Sequence, residues 1–260
     1  LESGVMLGGL ISATEEGTPQ GGPLSPLLSN VMLHELDKEL EERGHRFCRY
    51  ADDCNIYVKS KKAGNRVMAS VSHFIEKRLK LKINRDKSAV DYPTKRKFLG
   101  FSFYYSKGKA RIRVHAKSLT RIKVKLKKLT GRSNGMSMEA RIVKLNLTIQ
   151  GWVNYYKVAD MTIHCQRTDE WLRRRLRMCY WKQWKKIGTR HENLARSGIA
   201  RSKAWEFSNT RKGYWHIANS PILSSTLTNE FFRERGLIGL SDVYSHSSSL
   251  RTAVCLTART

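Results

Sequence analysis

Two β-prone runs, Phe47-Cys48-Arg49-Tyr50 and Ile56-Tyr57-Val58, lie a few residues apart, with the adjacent carboxylates Asp52 and Asp53 between them. Such runs on either side of a short polar stretch predict a β-hairpin carrying its acids at the tip. A hairpin here commits the early part of the chain to antiparallel pairing, and the elements around it must pack on that basis. Carboxylates held at a tight turn are driven together, and a divalent cation relieves their repulsion most easily. By itself such a doublet is usually just a solvated turn, so its neighbours decide its meaning.

Before the hairpin stands Gly17-Thr18-Pro19-Gln20-Gly21-Gly22-Pro23-Leu24-Ser25-Pro26, where glycines between prolines describe a rigid loop that a ligand can approach closely. Pro26 leads into apolar residues at Leu27, Leu28, Val31, Leu33, Leu36 and Leu40, an amphipathic helix stopping at Gly44. After the hairpin, Ala63 to Lys80 is helical, with Val67, Val71, Phe74, Ile75 and Leu79 on one face. Leu81-Lys82-Ile83 alternates like a short strand, and Asn84 to Lys87 reads as a turn. Phe98 to Phe103 and Ala110 to Val114 flank Ser106-Lys107-Gly108-Lys109, a second hairpin signal. Helix, hairpin, helix, strand and hairpin in that order describe an α+β unit built on an antiparallel sheet.

From Lys117 the pattern becomes helical. Leu119, Ile122, Leu126 and Leu129 form one stripe, and Arg121, Lys123, Lys125, Lys127 and Lys128 cover the rest. Residues 130–137 read as a flexible connection. Helical spacing resumes through Ile142, Leu145, Ile149, Trp152, Val153 and Tyr156, and again from Trp171 to Lys186, where Arg173, Arg174 and Arg175 interrupt apolar Leu172 and Leu176. A domain boundary is expected near 106–117. Past Gly188 the signals weaken: a helix over Ser202 to Tyr214, a polar stretch from Pro221, and a loop over Ser245 to Ser249.

The charge is large and uneven. The 260 residues carry a formal +27; residues 1–100 hold 17 Lys and Arg against 13 Asp and Glu, and the remainder holds 32 against 9. Concentrated positive charge repels itself unless a polyanion neutralises it, which points to nucleic acid. No apolar run approaches membrane-spanning length, and no membrane partner is expected. The five cysteines are scattered and form no Cys-x-x-Cys pair, so neither a zinc module nor a disulfide framework is indicated, and a reducing cytoplasm is expected.

Nucleotidyl transfer uses two divalent cations about 4 Å apart, held by oxygen ligands. Asp52 and Asp53 can supply part of such a site. Tyr50-Ala51-Asp52-Asp53 resembles the catalytic palm motif of reverse transcriptases, and Pro19-Gln20-Gly21-Gly22-Pro23-Leu24-Ser25-Pro26 resembles the preceding nucleotide-loop motif, in the expected order. Phe98-Leu99-Gly100-Phe101 resembles the motif beside the primer terminus. Gly151-Trp152-Val153-Asn154-Tyr155-Tyr156 and Trp181-Lys182-Gln183-Trp184-Lys185 are similar to the thumb, or maturase, domain of bacterial group II intron reverse transcriptases, and similarity extends through Thr210 to Trp215.

The resemblance implies a partial palm over 1–110, a helical thumb or maturase domain over 117–187, and a basic extension over 188–260 suited to nucleic acid. It implies that Asp52 ligates the catalytic metals with Asp53 assisting, the cofactor being Mg2+ with Mn2+ as a substitute. Pro19, Gln20, Gly21 and Ala51 would lie at the incoming deoxynucleoside triphosphate, and Lys87 either near the triphosphate or merely in solvent. Leu99 and Gly100 would lie beside the primer. Arg121, Lys123, Lys125, Lys127, Lys128, Arg173, Arg174 and Arg175 would contact nucleic acid, unless they form a solvated face. Partners are then intron RNA and an RNA template with its DNA primer, with a homodimer as a further option. Trp152, Trp181, Trp184 and Trp215 could stack on bases, although burial is the better expectation for each. The family carries another metal-binding Asp on an earlier strand; no segment before Gly17 matches it, so a truncated chain, unable to polymerise by itself, is expected. A zinc-bearing endonuclease domain has no counterpart after residue 188.

Overall fold

The computed structural model describes residues 5–7, 10–12 and 24–246. Its contacts divide the chain into two compact units, Leu1–Phe98 and Leu99–Thr260.

In the first unit, β1 (Val5–Leu7) pairs antiparallel with β2 (Leu10–Ser12). Helix α1 (Ser25–Glu42) opens with a proline in its first turn, where the missing N–H costs nothing. It ends at Gly44, whose φ of +68° lets the chain reverse. Strands β3 (Arg46–Tyr50) and β4 (Asp53–Tyr57) form the expected hairpin, with Tyr50 opposite Asp53. Helix α2 (Lys61–Lys77) begins at Ser60, whose side chain accepts a hydrogen bond from the Ala63 amide at 3.1 Å. Leu36 and Leu40 of α1, Val71 and Phe74 of α2, and Leu79 form the core, with Phe47, Cys54 and Ile56 of the hairpin packed against it. Only the second half of the α1 stripe is buried; Leu27 and Val31 are exposed.

Leu81-Lys82-Ile83 is not a strand. Lys80 adopts a φ of +57° and the Leu81 amide returns to the Ile75 carbonyl at 3.1 Å, so the segment closes the end of α2 and tucks Leu81 against the core instead of extending. The single antiparallel sheet is also absent: among the described residues the strands form three separate two-stranded sheets.

The second unit starts with β5 (Phe101–Ser106) and β6 (Lys109–Val114), joined at Lys107 and Gly108, which both have positive φ as the tightest hairpin turn requires. Helices α3 (Ala116–Leu129), α4 (Met138–Tyr156) and α5 (Thr162–Gln183) follow. They contribute Ile122, Leu126, Leu145, Ile149, Leu172 and Leu176 to one core. The last of these helices starts well before Trp171. The division between units falls ahead of the second hairpin because Phe101 stacks on Tyr155 and packs against Tyr156 of α4, at centroid distances of 5.7 and 5.0 Å.

The 130–137 connection is held, not free. Buried Arg141 donates to the carbonyls of Leu129, Gly131 and Met136 and to Asn134 Oδ1, so one side chain satisfies the loop's inward-facing acceptors. Beyond α5 come α6 (Ile187–Arg196), α7 (Arg201–Ser208), α8 (Tyr214–Ile217), α9 (Pro221–Thr226) and α10 (Asn229–Glu234), and residues 240–246 are helical. The polar stretch from Pro221 is therefore helical, as is the start of the expected loop at Ser245. Leu223, Leu227, Phe232, Leu237 and Leu240 join the same core as α3 to α5. Among the described residues no helix is long and apolar enough to cross a membrane.

Candidate functional site

The hairpin places Ala51 and Asp52 in its turn and Asp53 at the start of β4. Ala51 has a φ of +51°, a left-handed conformation that costs a non-glycine residue about 1–2 kcal/mol and persists only where surrounding structure enforces it. The two-residue turn between β3 and β4 demands it, and Arg49 holds it in place. Its guanidinium grips Asp37 of α1 through Nε–Oδ1 at 2.7 Å and Nη2–Oδ2 at 2.5 Å, while Nη1 donates to Asn30 Oδ1 and to the Ala51 carbonyl, both at 3.0 Å. The hydrogen bonds that Arg49 donates to Asp37 raise its pKa above the ordinary value. A bidentate fork thus ties the turn to the helix in front of it. Sequence reasoning missed Arg49 and Asp37; the only local signal was a cation inside a strand next to the acids.

Asp52 and Asp53 are exposed, and the carboxylate of neither forms a hydrogen bond or ion pair among the described residues. Two unspent carboxylates are hard oxygen donors of the kind magnesium takes. No third His, Cys, Asp or Glu completes a metal-binding cluster with them among the described residues. Beside them, burial pushes the Cys54 thiol up to about 11, so it stays protonated at neutral pH.

Of the remaining expected site residues, Pro19, Gln20 and Gly21 lie outside the described residues. Lys87 is exposed on the 84–88 turn, with its amide on Asn84 Oδ1 and its carbonyl accepting from Arg96. Leu99 and Gly100 belong to the second unit, where they meet the end of α4. Tyr155 Oη donates to the Leu99 carbonyl at 3.0 Å, and the Gly100 carbonyl accepts from the His115 amide and Ser118 Oγ. Gly100 has a φ of +84°, and a Cβ there would lie 2.3 Å from Tyr156 Oη, so only glycine fits. The structure therefore joins two motifs that the sequence presents more than fifty positions apart.

The basic residues separate into two kinds. Arg121, Lys123, Lys125, Lys127 and Lys128 are exposed on α3, opposite buried Ile122 and Leu126. The α5 arginines are half-buried. Arg175 donates to Thr130 Oγ1, the Thr130 carbonyl and the Lys127 carbonyl, and burial pulls its pKa below the ordinary value. Arg174 donates to the Trp215 carbonyl. Arg173 lines a cavity of about 500 Å3 together with Asp169, Glu170, Arg233 and Asp242. Trp181 is buried, and Trp152 and Trp184 partly so, whereas Trp215 is 40% exposed.

The model of the reverse transcriptase (RNA-dependent DNA polymerase) family matches residues 9–103, and that of the group II intron maturase-specific domain matches residues 119–198. Protein YkfC of Escherichia coli (strain K12) is 33% identical, over 32% of this chain and 31% of its own length. The group II intron-encoded protein LtrA of Lactococcus lactis subsp. cremoris is 40% identical, over 33% of this chain and 14% of its own. The aligned part thus spans less than a third of either relative. With the acidic hairpin inside one match and most of α3 together with α4 and α5 inside the other, the chain belongs to the group II intron reverse transcriptase and maturase family.

Proposed function

We propose that this chain carries the catalytic palm hairpin and the thumb of an RNA-directed DNA polymerase that copies group II intron RNA. In this reading residues 1–110 are palm, 117–187 thumb or maturase domain, and 188–260 a basic extension. The carrying observation is the unspent Asp52-Asp53 doublet on a strained turn, clamped by Arg49 and Asp37 within the reverse-transcriptase match.

Asp52 and Asp53 would hold the magnesium ions. Bound there, the metal would lower the pKa of the primer hydroxyl and neutralise the triphosphate. The residues of the chain supply position. Arg49 keeps the turn from relaxing, so the carboxylates are presented without reorganisation at the moment of reaction. Leu99 and Gly100, pinned against α4, would lie beside the primer. The α3 cations would hold template and primer phosphates.

Primer extension on an RNA template by a full-length protein of the family that carries these residues tests this. Asp52→Asn should lower synthesis by at least about a hundredfold, in the range seen when one preorganised electrostatic contact is removed. Undiminished synthesis by the variant would remove Asp52 from catalysis. The exposed lysine face of α3 supports a second role, binding intron RNA to fold it for splicing. Splicing assisted by the Asp52→Asn protein should then be unchanged, since folding RNA by charge needs no metal-bound carboxylate; parallel loss of both activities would contradict the separation.

A further inference from the structure

Residues 211–217 lie beyond both matched segments, and they assemble cations and aromatic rings on one surface. Buried Ile217 anchors α8 in the core and leaves Tyr214 half-buried and Trp215 exposed. The Arg174 guanidinium lies 3.9 Å from the centre of the Trp215 ring, and its Nη2 also holds the Trp215 carbonyl at 3.0 Å. Arg174 Nε is buried with no hydrogen-bond partner among the described residues, so the guanidinium is kept on the indole despite an unmet donor. Over Tyr214 stand Arg132, at 4.8 Å, and Lys182, at 5.6 Å. Arg132 comes from the loop directly after α3, so the patch continues from the lysine-covered helix. Exposed Arg211 and Lys212 precede it. None of these five cations forms an ion pair among the described residues.

We propose that Tyr214 and Trp215, framed by Arg132, Arg174 and Lys182, form a stacking site for unpaired bases of single-stranded RNA. Cations set over rings, with no carboxylate to neutralise them, leave positive charge for phosphates beside flat surfaces for bases. That is the combination by which proteins hold single strands. A duplex hides its base faces, whereas RNA loops and bulges present them. Arg174 occupies one face of the indole and fixes its orientation, so a base stacking on the exposed ring meets a surface already ordered. The inference rests on the nucleic-acid part of the reading above, and it adds a contact that is not electrostatic.

The test compares the affinity of the whole chain for an unstructured uridine oligoribonucleotide and for an abasic strand with equal phosphates, across a range of salt. The unaltered chain should prefer the base-bearing strand by about five- to a hundredfold, the effect of one stacked base. Trp215→Leu should abolish that preference and leave the salt slope and duplex RNA affinity unchanged, while Trp215→Phe should keep part of it. Equal affinity of the unaltered chain for the two strands would overturn this inference alone, without recourse to any variant. So would a preference that persists in Trp215→Leu. Binding to neither strand would overturn it together with the nucleic-acid reading on which it rests.

Discussion

Arg49, Arg174 and Arg175 are committed to partners inside the fold, while Lys123 and Lys125, equally cationic, face solvent. The difference has energetic consequences. Arg175→Ala would leave the Thr130 and Lys127 acceptors unmet in a half-buried place, at a cost of about 2–4 kcal/mol, whereas Lys123→Ala should stay within about 0.5 kcal/mol. Denaturant unfolding of the two variants checks this, and equal midpoints would contradict it. In the sequence, Arg173-Arg174-Arg175 looks like a nucleic-acid contact of the same kind as the α3 lysines. Composition cannot separate them, because whether a guanidinium is spent depends on carbonyls 45 positions away. The same holds for Arg49: its charge was visible, but its grip on Asp37 and on the Ala51 carbonyl depends on how α1 lies against β3.

At the level of elements, the hairpin was legible because β-prone runs around a short polar stretch have few other solutions, and its strands pair as that pattern demands. The strain at Ala51 was not legible, since alanine normally avoids positive φ and its position in a two-residue turn held by Arg49 emerges only from the pairing. Leu81 to Ile83 shows the converse failure: three alternating residues resemble a strand, but the turn at Lys80 sends them back onto α2. Helix α3 followed its stripe, with Ile122 and Leu126 inward and the cations outward. Replacing Lys123, Lys125, Lys127 and Lys128 by Gln should therefore lower the slope of log affinity against log salt by about 0.7 for each lysine that contacts a single-stranded RNA phosphate, and by about 0.9 on a duplex. Binding isotherms over a salt series measure it, and an unchanged slope would show that this face meets no phosphates.

Each unit has its own core, and that of the second extends well past the maturase-specific match. Leu223, Leu227, Phe232 and Leu240 pack with α3 to α5, and two polar side chains hold the segment in place. Asn146 of α4 brackets Gly236 and Ile238, while buried Asp169 of α5 accepts from the Leu240 and Ser241 amides at 2.7 and 2.9 Å. Ending the chain at Gly198 would uncover this apolar surface and strip Asp169 of the two amide donors that hold it. The shortened protein should lose its cooperative thermal transition and aggregate; a sharp, reversible transition would show that the later residues are dispensable. The amino-acid sequence alone determined the acidic hairpin, the amphipathic helices α3 and α4, the segregation of positive charge and the family to which the motifs belong. All of these are written in spacing along a short stretch of chain. Only the tertiary structure decided which cations stay unspent at the surface, why Gly100 cannot be replaced, and that residues 221–240 complete a core instead of trailing from it. Those outcomes depend on contacts between residues tens of positions apart, where the packing of neighbouring elements sets the partner and local pattern carries no record of it.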